Sequence, residues 1–528
     1  MAKEKHDVIV IGGGHNGLIV AAYLVKAGVD VCVLESLDKV GGGVITRDLP
    51  LTGFKYDVAS AVHATIQANP LIHRDELGLK ARYGLKYIFP EIQVAVVFPD
   101  QRALIFYRDI DKTCQSISQF SQRDSENYRR FHDYTRQLLK VASIATFSPA
   151  PTWGSMMSFL SSSEEGREYI RLIMSSSMDV VEEWFESAEL KIALTRYASE
   201  VMVGPCDKGT GNTMFFVSLM HSWGMALPEG GSGKLTEALG AYIIDNGGTI
   251  KVSSPVKSIK VQGNEAKGVV LESGEEIEAK KAVVSNVNVK QLFLDMLKPE
   301  DLPSGFPNRV RQIKFATFSG FPQAIALNEA PRFKAGGDVD KAFQVEIAPN
   351  STEEFSRIFD GFRYGISNTK IPIMMTPTLF DTKNRAPHGK HVAYLYHYEP
   401  YSLKDGGPAM WDVKGQEIAD SILETIREHT TNMGQENILG RWVTTPAELE
   451  RLLPAMLNGD IGHIGHFLNQ SFGNRPLIGW GNYKTPVNKI YMCGASTHPG
   501  LGVNGGGRAA VQVIMEELGI DFRKVIAK

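Results

Sequence analysis

The chain has 528 residues, 43% of them hydrophobic and 22% charged, and a formal net charge of -3 at neutral pH. That length allows two or three domains around a large core, and the composition is ordinary for a globular protein. Without a broad positive field, nucleic acid is not an expected partner. No apolar run of about eighteen residues is present to cross a membrane.

The four cysteines, Cys32, Cys114, Cys206 and Cys493, form no C-x-x-C pair. Dithiol chemistry and a metal site therefore have no basis in the sequence. Cys32 and Cys493 fall in apolar strands and read as small buried hydrophobes. The first strand begins at Asp7 with no apolar leader before it, so the expected location is cytoplasmic.

Asp7 to Ile11 reads as a short strand buried on both faces, as in a parallel sheet. Gly12, Gly14 and Gly17 follow as G-x-G-x-x-G, with His15 and Asn16 inside the turn, and then an apolar helix. The first glycine allows the tight turn, the second a close approach of pyrophosphate, the third close packing of helix on strand. The helix N-terminus points N–H groups and positive dipole at the phosphates. A second strand, Asp30 to Leu34, ends in Glu35, an acid placed to hydrogen-bond ribose hydroxyls. Strand, turn, helix, strand and acid within about thirty residues predict an ADP-containing cofactor.

Gly41, Gly42 and Gly43 come next, with Thr46 and Arg47 just after, and Gly53 to Ser60 reads as a further strand. Paired strands are expected within Leu85 to Phe106, and an amphipathic helix within Ser125 to Lys140. Phe147 to Leu160 carries Trp153, Met156, Met157 and Phe159 with almost no charge. It reads as a buried corner, or as an apolar lid through which substrate passes and the chain touches a membrane surface. Met214, Phe215, Phe216 and Trp223 extend that apolar character. Gly166 to Tyr197 reads as helical.

Pro228 to Thr236 is a glycine turn that fails as a P-loop, because Pro228 and Leu235 stand where that motif needs Gly and Ser or Thr. Beyond it come a helix from Leu235 to Asn246, a strand from Thr249, a small β-layer opened by Val256, and a buried strand at Ala282 to Asn286. Residues 303 to 439 lack that periodicity, although Val392 to Tyr396 alternates like a strand. Near the C-terminus, a strand from Lys489 to Ala495 leads through the turn Ser496 to Gly507 into a helix from Arg508 to Leu518. Gly500, Gly502 and Gly505 repeat G-x-G-x-x-G, but too little chain follows for a second nucleotide-binding unit.

The glycine run after Glu35, the turn at 228–236 and the segment from Gly494 through T-H-P-G to Gly507 resemble the flavin signatures of a known family. It is the family of phytoene desaturases and phytoene-dehydrogenase-like proteins, within the superfamily of amine oxidases and Rab GDP-dissociation inhibitors. The run Gly459 to His466 also resembles this group, but Asp460 and Gly462 stand where it usually has asparagine and phenylalanine.

The resemblance implies an α/β fold. A Rossmann-type FAD-binding domain would take residues 1–70, 225–300 and 440–528. A discontinuous α+β substrate domain on a mixed sheet would take 71–224 and 301–439. It implies FAD, held by Gly12, Gly14, His15, Asn16, Gly17, Glu35, Gly41, Gly42, Gly43, Val256, Gly494, Gly502, Asn504, Gly505 and Gly506. The implied reaction moves hydride between flavin and a bulky, mostly apolar, isoprenoid-like substrate, with oxygen or a quinone as electron acceptor. Oxidation of a C–N bond, or prenyl binding without catalysis, are the alternatives within the superfamily.

Flavin chemistry needs no nucleophile or metal, only positioning and electrostatics. His15, His463, His466 and His498 are the polar groups expected near the ring, with His463 and His466 the candidates for catalysis. The helix after Gly507 is expected to turn its positive end toward the reduced ring, with glycines at 505 to 507 bringing backbone close.

Overall fold

The computed structural model describes residues 4–527. Strand β1, Glu4–Ile11, buries Val8 to Ile11 completely, as its unbroken apolar run requires. Helix α1, His15–Lys26, follows and is apolar all round, with Leu18 to Leu24 buried. Strand β2, Val31–Leu34, then returns parallel to β1.

These elements centre a seven-stranded sheet. On one side of β1 lie Glu276–Ser285 and Ile490–Met492, both parallel, and on the other side lie β2 and Thr249–Lys251. An antiparallel hairpin, Val256–Gln262 with Glu265–Leu271, extends the edge. The helices α1, Gly233–Asp245 and Gly507–Glu517 cover one face of this sheet.

A second seven-stranded sheet runs in the order 438–443, 319–327, 391–399, 373–375, 344–347, 92–97, 103–107. All its pairings are antiparallel except 344–347 with 92–97, so the sheet is mixed. The strand His391–Glu399 is buried along nearly its whole length. Tyr394, Tyr396 and Tyr398 share one face, while Ala393, Leu395, His397 and Glu399 share the other. The first face meets the helices of residues 110–222, and the second meets the helix Trp411–His429.

Packing moves the sequence-based boundaries. Leu71, Ile72, Leu77, Leu79 and Leu85 join the core under α1, so the first body runs past residue 70. Leu302, Phe306, Val310 and Ile313 likewise pack on the first sheet, beyond residue 300. The boundary at 439/440 cuts the strand Ile438–Val443, which pairs in the second sheet. In the first two cases the boundary follows the apolar side chains, and in the third it follows backbone pairing.

A buried arginine ties distant segments together. Arg385 donates to Asp57 at 2.6 Å and to the Pro228 carbonyl at 2.9 Å, and lies 3.3 Å from Asp381. Asp57 also accepts from the Ser232 N–H and the Thr46 hydroxyl, and Asp381 accepts from the Gly230 N–H. The glycine turn at 228–236 is thus a joint between the two sheets. A Cβ at Gly231 would sit 2.3 Å from Thr46 Oγ1, which is why no larger residue fits there.

Candidate functional site

The turn between β1 and α1 is built by close contacts. Gly12 has φ +92° and donates its N–H to the Leu34 carbonyl at 2.8 Å. A Cβ on Gly14 would lie 2.7 Å from Asn286 Nδ2, and one on Gly17 2.4 Å from the Gly12 oxygen. Asn286 Nδ2 donates in turn to that oxygen. Glu35 is buried at 5% exposure; its Oε2 accepts from Gly13 N–H at 2.7 Å and its Oε1 from Leu37 N–H at 2.8 Å. Oε1 also accepts from the Ser36 hydroxyl at 3.1 Å, so Oε2, with one partner, is the oxygen that keeps a lone pair for a ligand hydroxyl.

These groups open onto a cavity of about 610 Å³, a volume typical of ligand sites. Its wall includes Gly12, Gly14, His15, Asn16, Glu35, Gly42, Gly43, Val256, Gly502 and His463 from the residues expected in the site. Gly17, Gly41, Gly494, Asn504, Gly505, Gly506 and His466 are not in the wall. Several of these knit the turns together instead. Gly41 N–H donates to Gly13 O at 2.8 Å, and a Cβ at Gly494 would lie 2.8 Å from Asn286 O. Gly505, at φ +74°, is pressed on Asn69, and Gly506 on Pro499.

The C-terminal turn therefore differs from its expected arrangement. Leu501, Gly502 and Val503 reach the cavity, while glycines 505 to 507 face protein. The first N–H groups of the helix are also occupied, with Gly506 donating to Asn504 Oδ1 and Gly507 to Asn16 Oδ1. The close packing of helix on turn, more than access to a ligand, explains glycine there.

The four histidines separate. His15 and His463 line the cavity, and His466 and His498 do not. His466 Nε2 accepts from Leu501 N–H at 2.9 Å, and His498 Nε2 donates to the Ala145 carbonyl at 2.7 Å. Burial pushes His15 down to about 4 and His463 to about 3, so both are neutral near pH 7. Among the described residues, His15 Nε2 is buried without a partner, a polar atom on the cavity-lining side chain that a ligand can satisfy. His463 Nδ1 lies 3.4 Å from Ser496 Oγ.

Arg475 is fully buried and holds the run around His463 in place. Its guanidinium donates to the carbonyls of Gly462, Ile464, Gly465, Gln470 and Ala495. Burial pushes it down to about 9, against the pull of Asp460. Asp460 accepts from the N–H groups of Ala316 and Gly462.

A further part of the same cavity, the chamber, is walled by the second sheet. Ile373, Met375, Tyr394 and Tyr396 project from alternating strand positions, with Gln344 beside them. Tyr197, Glu200 and Val201 come from one side of a helical turn, joined by Phe216 and Met225. Sequence reasoning missed Glu200. Its signal was Arg196 and Glu200 spaced i, i+4 in an otherwise apolar helical stretch. The segment Phe147 to Leu160 supplies no side chain to the wall. Met156 and Leu160, one helical turn apart, are buried in the helical layer, and Phe159 is 75% exposed. Of the companion aromatics, Phe216 alone lines the chamber.

Among the described residues, Glu4, His6 and Cys32 form one group of metal-ligating types. Its members bond within the protein: His6 bridges Asp30 at 2.8 Å and Glu4 at 2.9 Å, and Lys251 pairs with Glu4.

An acid at the end of β2, glycines that admit close approach, and an unpartnered His15 nitrogen on one continuous cavity all suit FAD. Comparison with known proteins agrees. The model of flavin containing amine oxidoreductases matches residues 17–321, more than half of the chain. The rat pyridine nucleotide-disulfide oxidoreductase domain-containing protein 2 is 29% identical, across 98% of this chain and 94% of its own. A limonene dehydrogenase polypeptide of Castellaniella defragrans is 27% identical over 98% and 96%. The lycopene-forming phytoene desaturase of Pantoea ananas is 26% identical over 96% and 99%. Among solved structures, cyclohexylamine oxidase of Brevibacterium oxydans superimposes with a TM-score of 0.60 at 15% identity, covering 97% of this chain and 99% of that one. A Rab GDI of Plasmodium falciparum reaches 0.51 at 11% identity, over 98% and 99%. These likenesses place the fold with the amine oxidases and GDP-dissociation inhibitors. The chain belongs to the flavin containing amine oxidoreductase family, with FAD as its cofactor.

Proposed function

We propose that this oxidoreductase moves hydride to or from a bulky, mostly apolar substrate, in desaturase- or saturase-type chemistry. One observation carries the reading: a single cavity joins the Glu35 and glycine-turn end to a chamber walled by Val201, Phe216, Met225, Ile373, Met375 and Leu501 together with the rings of Tyr197, Tyr394 and Tyr396. Aliphatic side chains and ring faces make up most of this wall, so burial of hydrocarbon supplies the affinity. FAD, when bound, supplies the hydride acceptor or donor. The protein's own residues orient the substrate, exclude water and hold His463 neutral beside Ser496. Limonene and phytoene, which name two of the relatives, are hydrocarbons, and this supports the reading.

The test is anaerobic mixing of the FAD-loaded protein with isoprenoid hydrocarbons and alcohols on one side and primary amines on the other. Loss of the oxidised flavin band with an isoprenoid, and none with amines, is the expected outcome. Bleaching by amines alone would replace this reading with C–N oxidation. Oxygen or a quinone is the proposed acceptor, and re-oxidation rates in air and with anaerobic quinone decide between them.

A further inference from the structure

The chamber is not uniformly apolar. Glu200 lines it, and its Oε1 accepts a hydrogen bond from the Tyr398 hydroxyl. Behind it lies a buried polar cluster. Arg196, 2% exposed, stacks its guanidinium 4.8 Å from the Tyr398 ring centroid and donates to the Ile371 carbonyl at 2.6 Å. Glu346, 2% exposed, accepts from Gln344 Nε2 at 2.6 Å, and Gln344 itself reaches the cavity wall. None of these residues belongs to the glycine turns or to the histidine run, and the hydride reading makes no use of them.

A carboxyl set in a largely apolar cavity wall is costly unless something compensates it. Tyr398 occupies one oxygen of Glu200; among the described residues, no protein donor reaches the other. We propose that Glu200 is a specificity-determining residue, whose free carboxyl oxygen hydrogen-bonds an uncharged oxygen function, a hydroxyl or carbonyl, on an otherwise apolar substrate. The inference rests on the apolar-substrate reading above and narrows it.

The charge count of the cluster selects an uncharged partner over an ammonium. Arg196 brings one positive charge, and Glu200 and Glu346 bring two carboxyls. Retention of one proton between the two acids leaves the cluster neutral. Burial favours that state, raising Glu200 above the ordinary range and pushing Glu346 up to about 7. Arg196 already serves as the internal cation, so a ligand cation has no unbalanced charge to meet. A carboxyl that retains its proton can donate to a carbonyl or a hydroxyl oxygen, and one that has lost it can accept from a hydroxyl.

The test uses the full-length, FAD-loaded protein and four ligands of one carbon skeleton class: geraniol, citral, myrcene and geranylamine. Dissociation constants are read from the perturbation of the flavin absorption bands, so turnover is not required. Wild type should bind geraniol and citral at least tenfold tighter than myrcene. Glu200→Gln, which keeps a donor and an acceptor, should retain most of that preference. Glu200→Leu and the smaller Glu200→Ala should bring geraniol, citral and myrcene within about threefold of one another, chiefly by weakening the oxygenated pair. FAD content and unfolding temperature show that the variants are folded.

Equal binding of geraniol and myrcene by wild type would overturn the inference and leave the apolar-substrate reading standing. So would an unchanged preference in Glu200→Leu or Glu200→Ala, or tightest binding by geranylamine. Absence of any spectral response to all four ligands would instead overturn the apolar-substrate reading, and this inference with it.

Discussion

Single atoms decide the cofactor turn. A Cβ at Gly17 meets the Gly12 carbonyl oxygen at 2.4 Å, whereas one at Gly28 meets nothing within 4 Å. Gly17→Ala is expected to weaken FAD about tenfold or more, because the backbone must move by more than a side chain can absorb. Gly28→Ala should leave FAD affinity unchanged and cost about 1 kcal/mol of stability through its φ of +80°. Titration of apoprotein with FAD, beside a denaturant curve, checks both. For the histidines, we propose that His463 acts at the cavity and that His466 supports the 501 turn. His463→Ala should lower kcat about a hundredfold with FAD content kept, while His466→Ala should lower FAD content and thermal stability instead. With its pKa pushed down to about 3, His463 stays neutral above about pH 5. The pH–rate profile should therefore show no limb from it between about pH 5 and 9. Near-normal turnover in both variants would remove the histidine role.

At the scale of elements, buried charges join what the chain separates. Arg385, in the segment between two strands of the second sheet, reaches Asp57 beyond the first glycine turns and the Pro228 carbonyl at the third. Arg385→Met leaves Asp57 and Asp381 without their cation. Breaking a buried pair from one side costs about 3 to 5 kcal/mol; the expected outcome is a loss of that order in urea titration, with FAD content reduced because the joint carries the cavity's two halves. A variant with wild-type stability would show that the joint is dispensable. The same logic separates apolar stretches. As sequence, Phe147 to Leu160 reads as a candidate route for substrate, while Val392 to Tyr396 reads only as an alternating strand. Only the second reaches the chamber, because strand alternation aims Tyr394 and Tyr396 at it while helical spacing turns Met156 and Leu160 into the core.

For the whole molecule, burial of neutral histidines sets the acid limit. His15, His63, His463 and His498 are all pushed down, to about 4, 3, 3 and 4, chiefly by burial. The unfolded chain binds protons at these sites below about pH 6.5, and the folded chain does not. Their stabilising contribution is thus complete above about pH 6.5 and declines as pH falls toward the folded values, by about 2 kcal/mol per histidine at pH 5. The unfolding temperature should drop steeply from about pH 7 to about pH 5. A flat profile over that range would mean that these histidines are not held neutral.

The FAD-binding half was largely legible in the sequence because its signals are local. β1, the glycine turn, α1 and Glu35 sit within about thirty residues, and the spacing of the glycines itself reveals the backbone geometry that requires them. The mixed second sheet was expected only in kind; its strand order, with 344–347 beside 92–97, joins segments too distant for any periodicity to pair. Glu200 carried only the local signal of its i, i+4 spacing from Arg196. Its meaning depends also on Tyr398 and Glu346, which come from two distant strands and approach it only after those strands have packed. Likewise the glycines at 505 to 507 announced a close approach, but tertiary packing decided that the partners are Asn69, Pro499 and Asn16. The sequence by itself determined the cofactor-binding unit, because that unit is encoded in short-range turns. The tertiary structure alone decided which side chains face the chamber, because burial and charge pairing arise between segments hundreds of residues apart.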